Sequence, residues 1–145
     1  MLAAVPRHEI VIKAAAVADF APERAAERKI KKDESGEKLT LTLHRNPDIL
    51  GEIAAASPRP FIVAFAAETD SVEENAREKL RRKGADLIVA NDVSDSSIGF
   101  DADQNEVLVI GRDGSATRIA RAAKSVVANR ILDLVVERLP TRSRT

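Results

Sequence analysis

The feature that most limits what this chain can fold into lies between positions 61 and 92. FIVAFAAE (61–68) and DLIVAND (86–92) are nearly continuous apolar runs, each closing on an acid or amide, and a charged stretch separates them. A run that is apolar without alternating suits a strand covered on both faces, which is the situation in parallel sheets. In the stretch between, Val72, Ala76 and Leu80 recur at helical spacing, Ser71 stands three residues before Glu74 as a capping box, and Gly84 is placed to end the helix. Strand, helix and strand at this spacing predict a βαβ unit with a right-handed crossover.

The remaining segments extend that plan. Residues 9–19 (EIVIKAAAVAD) read as another covered strand, ending at Asp19. Residues 1–5 look like the last turn of a helix stopped at Pro6, which suggests the C-terminal part of something longer. After a turn signal at 33–37, LTLTL (39–43) alternates as a half-exposed strand, the far side of a hairpin. Asn46, Pro47 and Asp48 start a short helix running to about Ala56. Residues 94–103 form a polar loop carrying Gly99 and Phe100, and strands at 106–110 and 116–119 flank the hairpin signal Asp113-Gly114. A last helix over 125–139 puts Val127, Ala128, Ile131, Leu134 and Val135 on one face, with Pro140 stopping it and 141–145 a frayed tail. The expectation is an α/β fold: a Rossmann-like three-layer αβα domain over 1–140 with a mostly parallel sheet, truncated at its N-terminus, plus β-hairpins.

Composition removes several functions. Basic and acidic residues balance at 23 each, so there is no basic surplus for general nucleic-acid or membrane binding. No cysteine is present, which excludes disulfides and thiol chemistry, and with two histidines a His/Cys zinc site is not expected. No long apolar span or signal pattern is seen, and the chain reads as soluble and cytoplasmic.

A site is expected where strands 9–19, 61–68 and 86–92 end, because ligands of open α/β sheets bind outside the carboxyl ends of the strands. That places Asp19, Glu68, Asn91 and Asp92 together, although short polar residues at strand ends also serve as turn formers and caps. Neither a P-loop nor a GxGxxG is present, so bound phosphate would rely on lysines. Lys29, in the cluster KIKK (29–32), is the first candidate. Lys79 and Lys83 fall beside Val72, Ala76 and Leu80 on the inward face, with Glu74, Arg77 and Arg81 outward. They have an alternative role, since cations in a last turn complement the helix dipole and lysine stems can lie along apolar surface. The helix is about 18 Å long, which sets Lys83 far from the strand ends. Phe65 suits the core, whereas Phe20 and Phe100 are freer to meet a ligand.

AAAVADF, KIKK, NPDIL, FAAET, KLRRKGADLIVANDVS and a later Gly-Phe with a hairpin occur in an order that resembles the phosphopantothenate–cysteine ligases, the phosphopantothenoylcysteine synthetases of coenzyme A biosynthesis. The resemblance covers residues 9–139. In bacteria this domain is usually fused behind a flavin-dependent decarboxylase. The resemblance implies that the carboxylate of 4′-phosphopantothenate attacks the α-phosphate of CTP, giving an acyl-cytidylate, and that the amino group of L-cysteine then displaces CMP, with Mg2+ neutralising the triphosphate. By motif, Lys13, Ala14, Ala15 and Asp19 would contact the nucleotide, as would Pro47, Asp48, Ile49, Leu50, Phe65, Lys79 and Lys83. Lys29 would be the catalytic flap lysine that closes over the intermediate. No metal-ligating residue is carried over, and the family implies a homodimer.

Two departures stand out. Ala64 occupies the position before Phe65 where the family usually has glycine, and its methyl could crowd a close approach. The glycine-rich nucleotide loop and an asparagine needed for the second half-reaction are missing from these residues. The chain is therefore expected to be a synthetase fragment with little or no activity alone. The alternative from another class is a non-catalytic nucleotide-binding or dimerisation module; a dehydrogenase is disfavoured because no dinucleotide fingerprint is present.

Overall fold

The structure, a computed structural model, describes residues 2–24, 28, 38–94 and 103–139. The chain divides into two compact units, Met1–Ala15 with Ile49–Thr145, and Ala16–Asp48. The first unit is built on a sheet of β1 (Ile10–Lys13), β4 (Phe61–Glu68), β5 (Leu87–Asp92), β6 (Gln104–Gly111) and β7 (Ala116–Ala123), lying side by side in that order. The second carries β2 (Phe20–Pro22) and β3 (Leu43–Arg45). Three helices belong to the first unit: α1 (Ile49–Ala54), α2 (Val72–Lys83) and α3 (Lys124–Arg138).

The two apolar runs are parallel neighbours, in register from Val63↔Leu87 to Glu68↔Asp92. Alternate side chains of the runs enter different cores, which is why neither run needs polar residues. Ile62, Ala64, Ala66, Ile88 and Ala90 pack with Leu50 and Ile53 of α1 and with Ala76 and Leu80 of α2. Val63, Leu87 and Val89 pack with Val107 and Val109 of β6 and with Val127, Ile131 and Val135 of α3. The three-layer αβα arrangement follows. Ile53, Ile62, Ile88 and Ile110 are wholly enclosed; burying a side chain of that size stabilises by about 1.5–3 kcal/mol. The Ala64 methyl is part of the core cluster on the α2 side, where it fills the interior.

β6 runs antiparallel to both of its neighbours, β5 and β7, so the expected hairpin joins the parallel strands in one mixed sheet. Its turn carries Gly114 at φ 87, a conformation that suits glycine. At Gly111 an added Cβ would lie 2.7 Å from Ser115 Oγ, so a side chain there would require Ser115 and Asp113 to turn aside.

Several expectations are corrected. β1 is four residues long and, among the described residues, has one strand neighbour, β4, so its residues alternate between exposed and half-buried. The alanine-rich continuation to Asp19 is exposed and not strand, consistent with the poor β-propensity of alanine. Ser71 has left-handed backbone (φ 41, ψ 42) and makes no capping bond, because a capping side chain needs extended backbone at that position. The Asn75 carboxamide instead donates to Asp70 O at 3.0 Å. At the other end Gly84 caps as expected, φ 64, its N–H donating to Arg81 O at 3.3 Å. The N-terminal turn is a 3-10 helix, Leu2–Arg7, with Pro6 inside it. On α3, Val127, Ile131 and Val135, spaced four apart, form the buried stripe, whereas Ala128 is exposed and Leu134 half-buried at its flanks.

In the second unit β2 and β3 pair antiparallel, Phe20↔Arg45 to Pro22↔Leu43. Asn46 N–H and its carboxamide close the hairpin base on Asp19 O (2.8 Å) and Ala18 O (2.7 Å). Of the LTLTL stretch only Leu43 is in the strand, and Leu39, Leu41 and Leu43 are all exposed.

Candidate functional site

Glu68 and Asp92 end β4 and β5 side by side, at the carboxyl edge where α2 begins. Their roles differ. The Asp92 carboxylate accepts from Ser94 N–H (2.9 Å) and Ser94 Oγ (2.6 Å), a turn-forming arrangement. Glu68 lies on the α2 side of β4, in alternation with Ala64 and Ala66, and its side chain is 18% exposed. Its partner is Lys79, whose Nζ is 3.7 Å from Oε1. Lys79 is about 10 Å along the axis from Val72, yet helical side chains lean toward the N-terminus, and this one reaches back to the strand end. Glu68, Asn75, Glu78, Lys79 and Arg82 line a polar recess of about 350 Å³.

Lys83, in the last turn, is half-buried. Arg77, expected on the outward face, is also half-buried: it pairs with Glu73 at 2.8 Å and donates to Gly114 O at 3.2 Å, tying α2 to the hairpin turn. On the other sheet face Phe65 is half-buried and borders an apolar groove of about 280 Å³ with Ile12, Asn105, Val107, Lys124 and α3 residues including Val127 and Ile131. The Asn105 carboxamide donates to Asn91 Oδ1 at 3.3 Å, so Asn91 is engaged within the sheet.

The remaining candidates are distributed between the units. Lys13 ends β1, level with Ala64 and short of the Glu68–Asp92 edge, and Ala14 and Ala15 follow it, exposed. Ile49 and Leu50 open α1, with Leu50 committed to the core at 7% exposure. Asp19, Pro47 and Asp48 are exposed residues of the second unit. Asp19 therefore does not end a sheet strand beside Glu68, because β1 stops at Lys13. Lys29, the flap candidate, lies outside the described residues, as does Phe100.

Sequence reasoning missed the amino edge of the same sheet. There the Asp86 carboxylate accepts the Ile62 N–H (2.8 Å) and pairs with Arg59 (2.9 Å) and Arg112 (3.8 Å). Both arginines also donate to Gly84 O, at 2.7 and 2.6 Å. The partners are far apart in sequence, and their charges look like ordinary surface charges until the strands align them.

No group of three or more His, Cys, Asp or Glu among the described residues could hold a metal ion, and no helix among them is long and apolar enough to cross a membrane.

Parallel strands with polar carboxyl ends, enclosed by helices on both faces, define a Rossmann-like α/β domain. The model of the family described as the DNA/pantothenate metabolism flavoprotein C-terminal domain matches residues 1–139, and the chain belongs to that family. The coenzyme A biosynthesis bifunctional protein CoaBC of Escherichia coli strain K12 is 41% identical over 144 residues, covering 98% of this chain and 35% of that protein. Its counterpart in Bacillus subtilis is 44% identical over 124 residues, covering 86% and 30%. The crystal structure of the C-terminal domain of a CoaBC protein superposes with a TM-score of 0.68 at 33% identity, covering 92% of this chain and 58% of that one. A Streptococcus pneumoniae structure of the DNA/pantothenate metabolism flavoprotein, 24% identical with a TM-score of 0.69, shares the fold. The chain spans about a third of the length of the curated relatives it matches.

Proposed function

We propose that this chain is part of a CTP-dependent ligase of coenzyme A biosynthesis that joins 4′-phosphopantothenate to L-cysteine through an acyl-cytidylate. The observation that carries this reading is Lys79 brought to the carboxyl end of β4 by Glu68, in a chain that belongs to this family. An ammonium at that edge of a parallel sheet suits a nucleotide phosphate. Lys13, Ala14, Ala15 and Phe65 would meet the nucleotide from the strands, Ile49 and Leu50 through their backbone at the start of α1, and Lys83 from the last turn of α2. By the family's motifs, Asp19, Pro47 and Asp48 would also contact the nucleotide.

Lys29 would close over the acyl-cytidylate, stabilising charge that develops in the transition state and keeping out water that would hydrolyse the intermediate. Magnesium would be held chiefly through phosphate oxygens, in keeping with its preference for substrate phosphates over protein cages. The enzyme would work in the cytoplasm as a homodimer, fused to a flavin-dependent decarboxylase as the bifunctional names of its relatives suggest. The second reading is a nucleotide-binding or dimerisation module without turnover of its own.

One assay separates the two. The chain is mixed with CTP, magnesium, phosphopantothenate and cysteine, and pyrophosphate and CMP are followed. Release of both supports the ligase, and pyrophosphate alone means that only activation occurs. CTP binding without turnover supports the module, and no CTP binding at millimolar concentration means that the nucleotide site is incomplete in this chain.

A further inference from the structure

We propose that Glu68 is a positioning residue: its carboxylate holds the Lys79 ammonium at the carboxyl edge of the sheet, ready for a phosphate group of the nucleotide. This rests on the nucleotide reading above and names a residue of that site to which the family resemblance gives no role.

Glu68 has the burial of a structural acid, 18% exposed, and sits at the last position of β4. A carboxylate so placed needs a compensating charge. Among the described residues its cation is Lys79, one of the helix residues nearest the buried stripe of Ala76 and Leu80. The 3.7 Å separation is within ion-pair range but too long for a hydrogen bond. Lys79 is thus held by charge while its N–H donors stay uncommitted. A direct 2.8 Å bond of the kind Arg77 makes to Glu73 on the same helix would have used one of them.

A lysine side chain has many rotamers, and one without an anchor would spread along the helix flank. Glu68 restricts it to the recess of about 350 Å³ beside the strand end, where an arriving anion has space. The arrangement orients the ammonium without saturating it. The opposing effect is repulsion between the Glu68 carboxylate and a phosphate, and orientation of the ammonium outweighs it.

The test uses the whole chain in four forms: parent, Glu68→Gln, Lys79→Met and the double variant. Affinity for CTP and for cytidine is measured by calorimetry in each. Glu68→Gln is expected to weaken CTP about threefold or more when Lys79 is present, the scale of a partly exposed ion pair. With methionine at position 79 it should change nothing or tighten CTP, and cytidine should respond to neither substitution. A general structural role would weaken CTP equally in both backgrounds, and that result overturns the proposal. So does tighter CTP binding by Glu68→Gln in the parent background, which would show repulsion to dominate. A second readout needs no nucleotide: the NMR order parameter of the Lys79 ammonium should fall in Glu68→Gln. An unchanged value overturns the positioning role even where CTP binds. If CTP fails to bind while the order parameter falls, the nucleotide reading fails and the hold of Glu68 on Lys79 stands.

Discussion

Replacing Asp86 with alanine should destabilise the chain more than any other single change at a partly solvent-exposed carboxylate. Its carboxylate accepts the N–H of Ile62, a residue with no exposure, at 2.8 Å, so alanine leaves that donor buried without its partner. A buried donor left unsatisfied costs about 1–3 kcal/mol. The ion pair with Arg59, between side chains 31% and 16% exposed, adds up to about 1 kcal/mol. Arg59 still donates to Gly84 O and Pro60 O after the change, and the more exposed Arg112, 3.8 Å from the carboxylate, still donates to Gly84 O and Ala85 O, so neither guanidinium is orphaned. The expected destabilisation is therefore about 1–4 kcal/mol, and at roughly 3 °C per kcal/mol for this length it lowers Tm by about 3–12 °C. Urea unfolding would show it as a lower midpoint at unchanged slope. Asp86→Asn is the control: it keeps an oxygen for the Ile62 N–H and should lose less than about 1.5 kcal/mol. An alanine variant within about 0.5 kcal/mol of the parent, the ordinary scatter of surface changes, would refute the reasoning, as would asparagine being as damaging as alanine.

Three further outcomes are expected. Ile88→Ala empties a fully enclosed site between β4, β6 and α2 and should cost about 2–5 kcal/mol in the same urea assay. The hydroxyl and then the N–H of Ser115 hold the Asp113 carboxyl below the ordinary aspartate range. Because the folded value is depressed, its stabilisation is present above the unfolded value and is lost as pH falls through the folded one. The advantage of the parent over Asp113→Ala in melts from pH 7 to pH 2 should therefore shrink only at the acid end, and an advantage that grew with acidity would contradict the assignment. In an active full-length enzyme Lys29→Gln should lower turnover at least tenfold while changing CTP affinity only a few-fold, the split expected of an interaction made in the transition state. Equal losses of both would argue against a flap.

Much of the fold was legible in residues 61–92. The apolar runs at 61–68 and 86–92 had to be covered strands because both alternations are apolar, and Gly84 had to end the helix between them. The hairpin around Asp113-Gly114 was readable for the same kind of local reason, the backbone demand of a tight turn. The capping box at Ser71 was not, because the match of residue types says nothing of the backbone angle that Ser71 takes up. The strand expected to run on to Asp19 failed for a non-local reason: apolarity alone cannot distinguish a central strand from an edge strand, and β1 has one strand neighbour among the described residues. In the candidate site, Glu68, Asn91 and Asp92 were readable as strand ends, but only Glu68 is free of turn-forming or sheet-bonding duty.

By itself, then, the sequence determined the α/β class, the βαβ unit and the family, because periodicity, turn chemistry and motif order are properties of neighbours along the chain. The tertiary structure alone decided which charges meet. Lys79 meets Glu68 because helical side chains lean toward the N-terminus and the alternation of β4 turns Glu68 to the α2 side. Asp86, Arg59 and Arg112 became one cluster only when β4, β5 and the β6–β7 turn lay side by side. Such contacts depend on register and packing direction across the sheet, and no local pattern encodes those.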